Sequence, residues 1–168
     1  MVEWDPSEEK PYRAVGFLLS SLGYAISRGF HRELEHLSLD PRGFSVLRSV
    51  GFAEGQSQQA LATALAIPAS RMVAILDSLE ERGLLERRMR DDDRRTRAVH
   101  LTEAGKDLLK RAFQVAASHE SWICEPLSSA ERDQLMGLLD RLAERFGLVP
   151  GTHEAMRDND HHERHEHH

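Results

Sequence analysis

The residues of this chain best suited to chemistry are arginines, and they cluster. Seven stand between Arg82 and Arg97, at positions 82, 87, 88, 90, 94, 95 and 97, against acids at 86, 91, 92 and 93, a local excess of three positive charges. The whole chain, by contrast, carries 28 Asp and Glu against 22 Lys and Arg, a formal net charge of −6. A guanidinium is a rigid fork of donors that fits phosphate oxygens and the O6/N7 edge of guanine. A basic stripe inside an acidic protein therefore suits a polyanion. Just upstream, Met72, Ile75, Leu76 and Leu79 share one helical face, which leaves Ser70, Arg71, Val73, Ala74, Asp77 and Ser78 to look outward. Those near the helix N-terminus are placed to meet base edges in a major groove, with Arg71 the first candidate for a bidentate pair with guanine. Arg95 or Arg97, beside Arg94, suits a narrow minor groove, whose negative potential attracts an inserted guanidinium. Asp93, two residues before Arg95, is spaced to hold that guanidinium in one direction by a charge-assisted hydrogen bond.

These positions need a frame, and the sequence supplies mostly helices. Tyr12 to Leu37 sets Val15, Leu18, Leu19, Leu22, Ile26, Phe30, Leu34 and Leu37 at spacings of three and four, one apolar stripe on a long helix. Asp40-Pro41 starts the next helix, an N-cap acid before a proline in the first turn, and Gly51 or Gly55 ends it. Ser57 caps a short helix carrying Leu61 and Leu65. Ala66-Ile67-Pro68 then turns the chain into the helix that stops at Gly83. Beyond Gly83 the period changes to two: Leu85, Arg87 and Met89 alternate with Glu86 and Arg88, and Arg97, Val99 and Leu101 with Ala98 and His100. That is a hairpin with a charged connection at 90–95. Thr102 caps a long helix to about Cys124, and the capping box Ser128-Ser129-Ala130-Glu131 opens a last helix with a Leu135, Leu138, Leu139, Leu142 and Phe146 stripe.

The expected fold is mainly α, a winged helix-turn-helix with a two-stranded wing and dimerisation helices at both ends. Residues 1–11 form a flexible start, 40–101 the DNA-binding region, 12–39 and 102–147 the dimerisation region, and 148–168 a disordered His-rich tail. The first and last helices carry more apolar surface than a small winged domain covers, so two copies are expected to interlock. A two-fold protein calls for a pseudo-palindromic operator with half-site centres about 10 bp apart.

Composition narrows the alternatives. No stretch approaches the roughly 20 apolar residues of a membrane span, no secretory signal opens the chain, and a single cysteine rules out an intrachain disulfide. A cytoplasmic protein with no membrane partner is expected. Paired catalytic carboxylates, a nucleophile elbow, a phosphate-binding glycine loop and an HExxH motif are missing from any supporting context, so neither an enzyme nor a cofactor is expected. His161 and His165 of the tail would share a helix face and suit weak Zn, Ni or Cu binding. Cys124 offers a redox alternative, but its neighbours Ile123 and Glu125 do nothing to lower a thiol pKa. A winged module used only for protein contacts is the other alternative.

From Tyr12 to Phe146 the chain resembles the MarR family of transcriptional regulators. The resemblance rests on Gln59-Ala60-Leu61-Ala62, on Leu76-Asp77-Ser78-Leu79-Glu80-Glu81-Arg82-Gly83-Leu84-Leu85, and on Asp93-Arg94-Arg95-Thr96-Arg97-Ala98-Val99-His100-Leu101-Thr102-Glu103-Ala104-Gly105, which is similar to the family's Asp-x-Arg and Leu-Thr-x-x-Gly wing signature. It implies Asp93 and Arg95 as wing residues and Ser70, Arg71, Val73 and Ala74 as base-facing residues of a double-stranded-DNA-binding homodimer. It also implies repression, relieved by a small aromatic or phenolic acid bound between the dimerisation helices and the winged domain. Tyr24, Arg28, His31, His119 and Trp122 are candidates to line that crevice. The chain departs from the family at Pro68, where members often carry Ser or Thr, and at Ala74, where many carry Arg.

Overall fold

The computed structural model describes residues 14–89 and 97–148. In chain order these form α1 (Val15–Glu35), α2 (Pro41–Phe52), β1 (Gln56–Ser57), α3 (Gln58–Ala64), α4 (Ala69–Glu81), β2 (Leu85–Met89), β3 (Arg97–Leu101), α5 (Glu103–Ile123) and α6 (Ser129–Arg145). The expected flexible start at residues 1–11 and all but Leu148 of the tail expected at 148–168 lie outside the described residues.

Local chemistry sets the helix ends. Asp40 accepts the Gly43 N–H at 2.7 Å with Pro41 in the first turn of α2, Ser57 accepts the Ala60 N–H at 3.1 Å, and Ser128 and Glu131 form the reciprocal capping box of α6. The α4 N-cap position holds Pro68, which makes no side-chain cap bond. At the other end of α4, Gly83 takes φ +66. Its N–H reaches the Glu80 carbonyl, and that of Leu84 reaches Leu79. This closes the helix in the left-handed turn that glycine accepts most readily. Gly55 likewise has φ +83 and makes the turn after α2, whereas Gly51 lies inside α2, where a Cβ would come within 2.7 Å of a Leu109 methyl on α5.

The hairpin β2–β3 pairs Leu85 with Leu101 through Met89 with Arg97. The structure adds a strand that periodicity did not reveal: β1 pairs with β3, giving an antiparallel order β1-β3-β2. Because β3 is central, Ala98 is shielded between Ser57 and Arg88 and is buried along with Val99 and Leu101, so the two-residue alternation fails there.

One core joins all this. Leu34, Leu47, Val50, Leu61, Met72, Leu76, Leu85 and Val99 are fully buried, from α1, α2, α3, α4 and the sheet, with Leu108, Leu109 and Ala112 of α5 closing it. The ends of the chain are different. Val15, Phe17, Leu18, Leu19 and Leu22 of α1, and Leu135, Met136, Leu138, Leu139, Leu142 and Phe146 at the C-terminal end, are exposed. No residue of α6 is buried.

Candidate nucleic-acid interface

The wing signature Leu-Thr-x-x-Gly has a mechanical reading. Leu101 is buried, and the Thr102 hydroxyl donates to the Gly83 carbonyl at 2.6 Å while accepting the Gly105 N–H at 3.0 Å. Gly105 lies so close to the turn that a Cβ would stand 1.8 Å from the Leu84 carbonyl oxygen. These three residues lock the start of α5 onto the α4–β2 turn and so fix where the hairpin leaves the body.

α4 has three sides. Met72, Leu76 and Leu79 face the core, and at 100° per residue Ser70 and Ala74 are the residues of the first two turns that point most directly away from them. Both are exposed, while Arg71 and Val73 on either flank are half-buried. The four base-facing candidates therefore lie together near the helix N-terminus, with Ser70 and Ala74 at its crest. Arg71 is turned towards α1. Arg97 stands exposed on β3 opposite Met89. Asp93, Arg94 and Arg95 lie outside the described residues, as do His161 and His165.

On the wing-facing flank, Arg87 of β2 meets two carboxylates of α4. Its Nε donates to Glu80 Oε2 at 2.9 Å, its Nη2 to Asp77 Oδ1, and its backbone N–H to Glu80 Oε1 at 3.1 Å. Its side chain is only 12% exposed. Burial works against this cation, but the hydrogen bonds and charges of Asp77 and Glu80 outweigh it and raise its pKa above the ordinary guanidinium value. Sequence reading counted Arg87 in the basic stripe and missed this role, because its partners lie seven and ten residues away. Arg88 on the same strand pairs with Glu86, whose carboxyl is held below its ordinary pKa chiefly by that hydrogen bond.

On the opposite flank, α4 and the end of α1 enclose an open cleft of about 490 Å³. Arg71, Ser78 and Arg82 face His31, Glu35 and Asp40 across it, over a floor of Leu39, Ile75 and Leu79. Of the five crevice candidates, His31 alone is among the lining residues, and it pairs with Glu35 at 3.4 Å. Tyr24 and Arg28 face each other further up α1, the guanidinium 5.7 Å from the ring centroid. His119 fills the α1–α5 crossing: its Nε2–H donates to the Ile26 carbonyl at 3.2 Å, and its ring stacks on Trp122 at 6.0 Å. Gly29 leaves room for that ring. The five do not converge on one cavity within the described residues of a single chain.

Cys124 donates to a Glu120 carboxylate oxygen at 3.3 Å. That bond, then desolvation and the Glu120 charge, push its thiol pKa up against a smaller opposing effect of Arg132. This opposes thiolate formation. Among the described residues, no group of three or more His, Cys, Asp or Glu is placed to hold a metal ion, and no single helix is long and apolar enough to cross a membrane.

Comparison with known proteins agrees with this geometry. Residues 37–96 match the sequence profile of the MarR family. A Thauera aromatica protein described as a transcriptional regulator for the hcr operon is 33% identical over 145 residues, covering 82% of this chain and 87% of that one. The transcriptional repressor CouR bound to a 23-mer DNA duplex superposes with a TM-score of 0.69 at 34% identity, covering 77% of this chain and 92% of CouR. CouR from Rhodococcus jostii RHA1 bound to p-coumaroyl-CoA gives 0.64 at 30% identity, covering 77% and 91%.

Proposed function

The chain belongs to the MarR family of DNA-binding transcriptional regulators, which are not enzymes, and from that premise we propose that it is a homodimeric repressor released from a pseudo-palindromic operator by a small ligand. The observation that carries the DNA reading is the exposed Ser70–Ala74 crest of α4, supported at its far end by a hairpin whose sequence is rich in arginine. Ser70, Arg71, Val73 and Ala74 meet the major groove, and Arg94, Arg95 and Arg97, with Asp93 orienting Arg95, meet the backbone and minor groove. CouR, seen with duplex DNA at 34% identity, supports the same use of the fold here.

The dimer reading rests on apolar surface. α1 exposes Phe17 and Leu22 by more than half, Phe146 is 76% exposed, and α6 buries none of its leucines within the chain. So many large apolar side chains left exposed on two helices point to an interface that a second copy would cover. Residues 12–39 and 102–147 then join the two copies and 40–101 read DNA, which operates in the cytoplasm.

The effector reading favours an aromatic or phenolic compound. CouR from Rhodococcus jostii RHA1 is seen bound to p-coumaroyl-CoA, a thioester of a phenolic acid. In this chain the cleft between α1 and α4 has an apolar floor and the cations Arg71 and Arg82 at its rim. A ligand there contacts the recognition helix directly and shifts its orientation only by binding one arrangement better than another. Tyr24 and Arg28 follow the exposed apolar residues along α1, and His119 and Trp122 lie on α5 against it, so a second chain packed on these helices would complete any site they form. The raised Cys124 pKa disfavours the redox alternative.

Fluorescence anisotropy tests the DNA reading on a duplex enriched from a random pool. The expected result is affinity that falls steeply as salt rises, through counterion release, and is weakened further by Arg95→Ala. Equal, weak, salt-insensitive binding by both proteins would favour the protein-contact module instead.

A further inference from the structure

We propose that Arg87 is the positioning residue that makes the recognition helix and the wing one reading unit, a role that rests on the DNA reading above and deepens it. β2 is an edge strand of the sheet β1-β3-β2. Such an edge presents N–H groups with no strand to accept them. The Arg87 N–H is satisfied by Glu80 of α4 instead, and the Arg87 side chain reaches the second Glu80 oxygen and Asp77. Three bonds therefore join α4 to the outer edge of the hairpin. They add a directional link to the shared core, where Leu76 and Leu79 of α4 pack with Leu85 of β2, and to the Arg82–Leu84 turn that Thr102 holds.

The fork geometry matters. Glu80 uses both oxygens on one residue, and only a planar guanidinium can meet Glu80 and Asp77 at once with fixed angles. A lysine keeps the charge and loses the direction. Arg97 is borne on β3 opposite Met89, two positions along the ladder from the Arg87–Val99 pair. A small rotation of β2 against α4 therefore moves Arg97 relative to Ser70 and Ala74, and a recognition site has to be held to about 0.5 Å.

The same contact also manages charge. Asp77 and Glu80 lie on the wing-facing flank of α4 beside Val73, where bare carboxylates would repel phosphate. Arg87 offsets them while remaining too buried, at 12% exposure, to serve as a phosphate contact itself. Its Nε and one Nη2 donor are committed to Glu80 and Asp77 inside the protein.

A double-mutant cycle with Arg87→Lys and Arg97→Ala tests this, read by anisotropy on the enriched duplex and on a scrambled duplex of the same composition. Arg87→Lys is expected to lower affinity for the enriched duplex about tenfold, within the range for coupled groups, and to leave scrambled-duplex affinity and its salt slope unchanged. Arg97→Ala is expected to cost less in the Arg87→Lys background than in the wild type, because the wing is already displaced. Glu80→Gln, which keeps the shape and weakens the fork, gives the same pattern at smaller size and serves if Arg87→Lys folds poorly. Strict additivity, or equal losses on both duplexes, would overturn the positioning role and leave the DNA reading intact. Wild-type protein with no preference between the duplexes would remove the DNA reading and this inference with it.

Discussion

At the scale of single residues, Thr102 and Gly105 show how a short sequence signature becomes mechanics. The string Leu-Thr-x-x-Gly was legible at once, and the N-cap followed from Thr102. The reason for glycine was not, because it depends on the Leu84 carbonyl arriving from another part of the chain. Arg87 was hidden for the same cause: its value lies in Asp77 and Glu80, which helical and strand periodicities treat separately. Gly105→Ala forces a methyl group to within 1.8 Å of that carbonyl, and α5 must shift. The expected cost is about 1–3 kcal/mol, the range for overpacked sites, seen as a lower Tm and denaturant midpoint. An unchanged midpoint would mean that the turn and α5 are not packed as described.

At the scale of elements, helices with strong stripes and side-chain caps were readable, and short or context-dependent features were not. Ser57, Thr102 and Ser128 each cap the helix that the sequence assigned to them. β1 has two residues, too few for any period, and exists because β3 offers it an edge. α2 ends at Phe52, between the two glycines the sequence offered: Gly51 is inside it, packed against Leu109 of α5, and Gly55 makes the turn beyond. α6 provides a pH test. The Ser128 hydroxyl and N–H donate to Glu131 at 2.6 and 2.8 Å and hold its carboxyl below the ordinary glutamate pKa of about 4.3. A lowered folded-state pKa means that the contribution of the box is complete above the ordinary value and fades as pH falls through the lowered one. Glu131 is therefore expected to titrate below about 4.3 by NMR, and the first turn of α6 to fray only beneath that pH. Ser128→Ala removes the hydroxyl bond and leaves the backbone one, and should move the titration part of the way back towards the ordinary value. A Glu131 that titrates ordinarily in the wild type would contradict the capping box.

At the scale of the whole molecule, the net charge of −6 pointed away from nucleic acid, and only its distribution recovered the reading. The exposed stripes of α1 and α6 were legible as surplus apolar surface, and they remain uncovered in the folded chain. The crevice candidates were the least legible part. Their types suit an aromatic ligand, but packing sends Tyr24 and Arg28 to each other, His119 to the Ile26 carbonyl and His31 to the cleft beside α4. What unites these features is a MarR-family regulator, proposed above to read DNA as a two-fold dimer, whose α4 is bordered on one flank by the wing and on the other by a ligand-sized cleft. The most direct test is selection from a random double-stranded pool by the wild-type chain, followed by sequencing of the bound fraction. Enrichment of an inverted repeat with half-site centres about 10 bp apart is the expected result. A bound fraction with the composition of the starting pool would contradict the account.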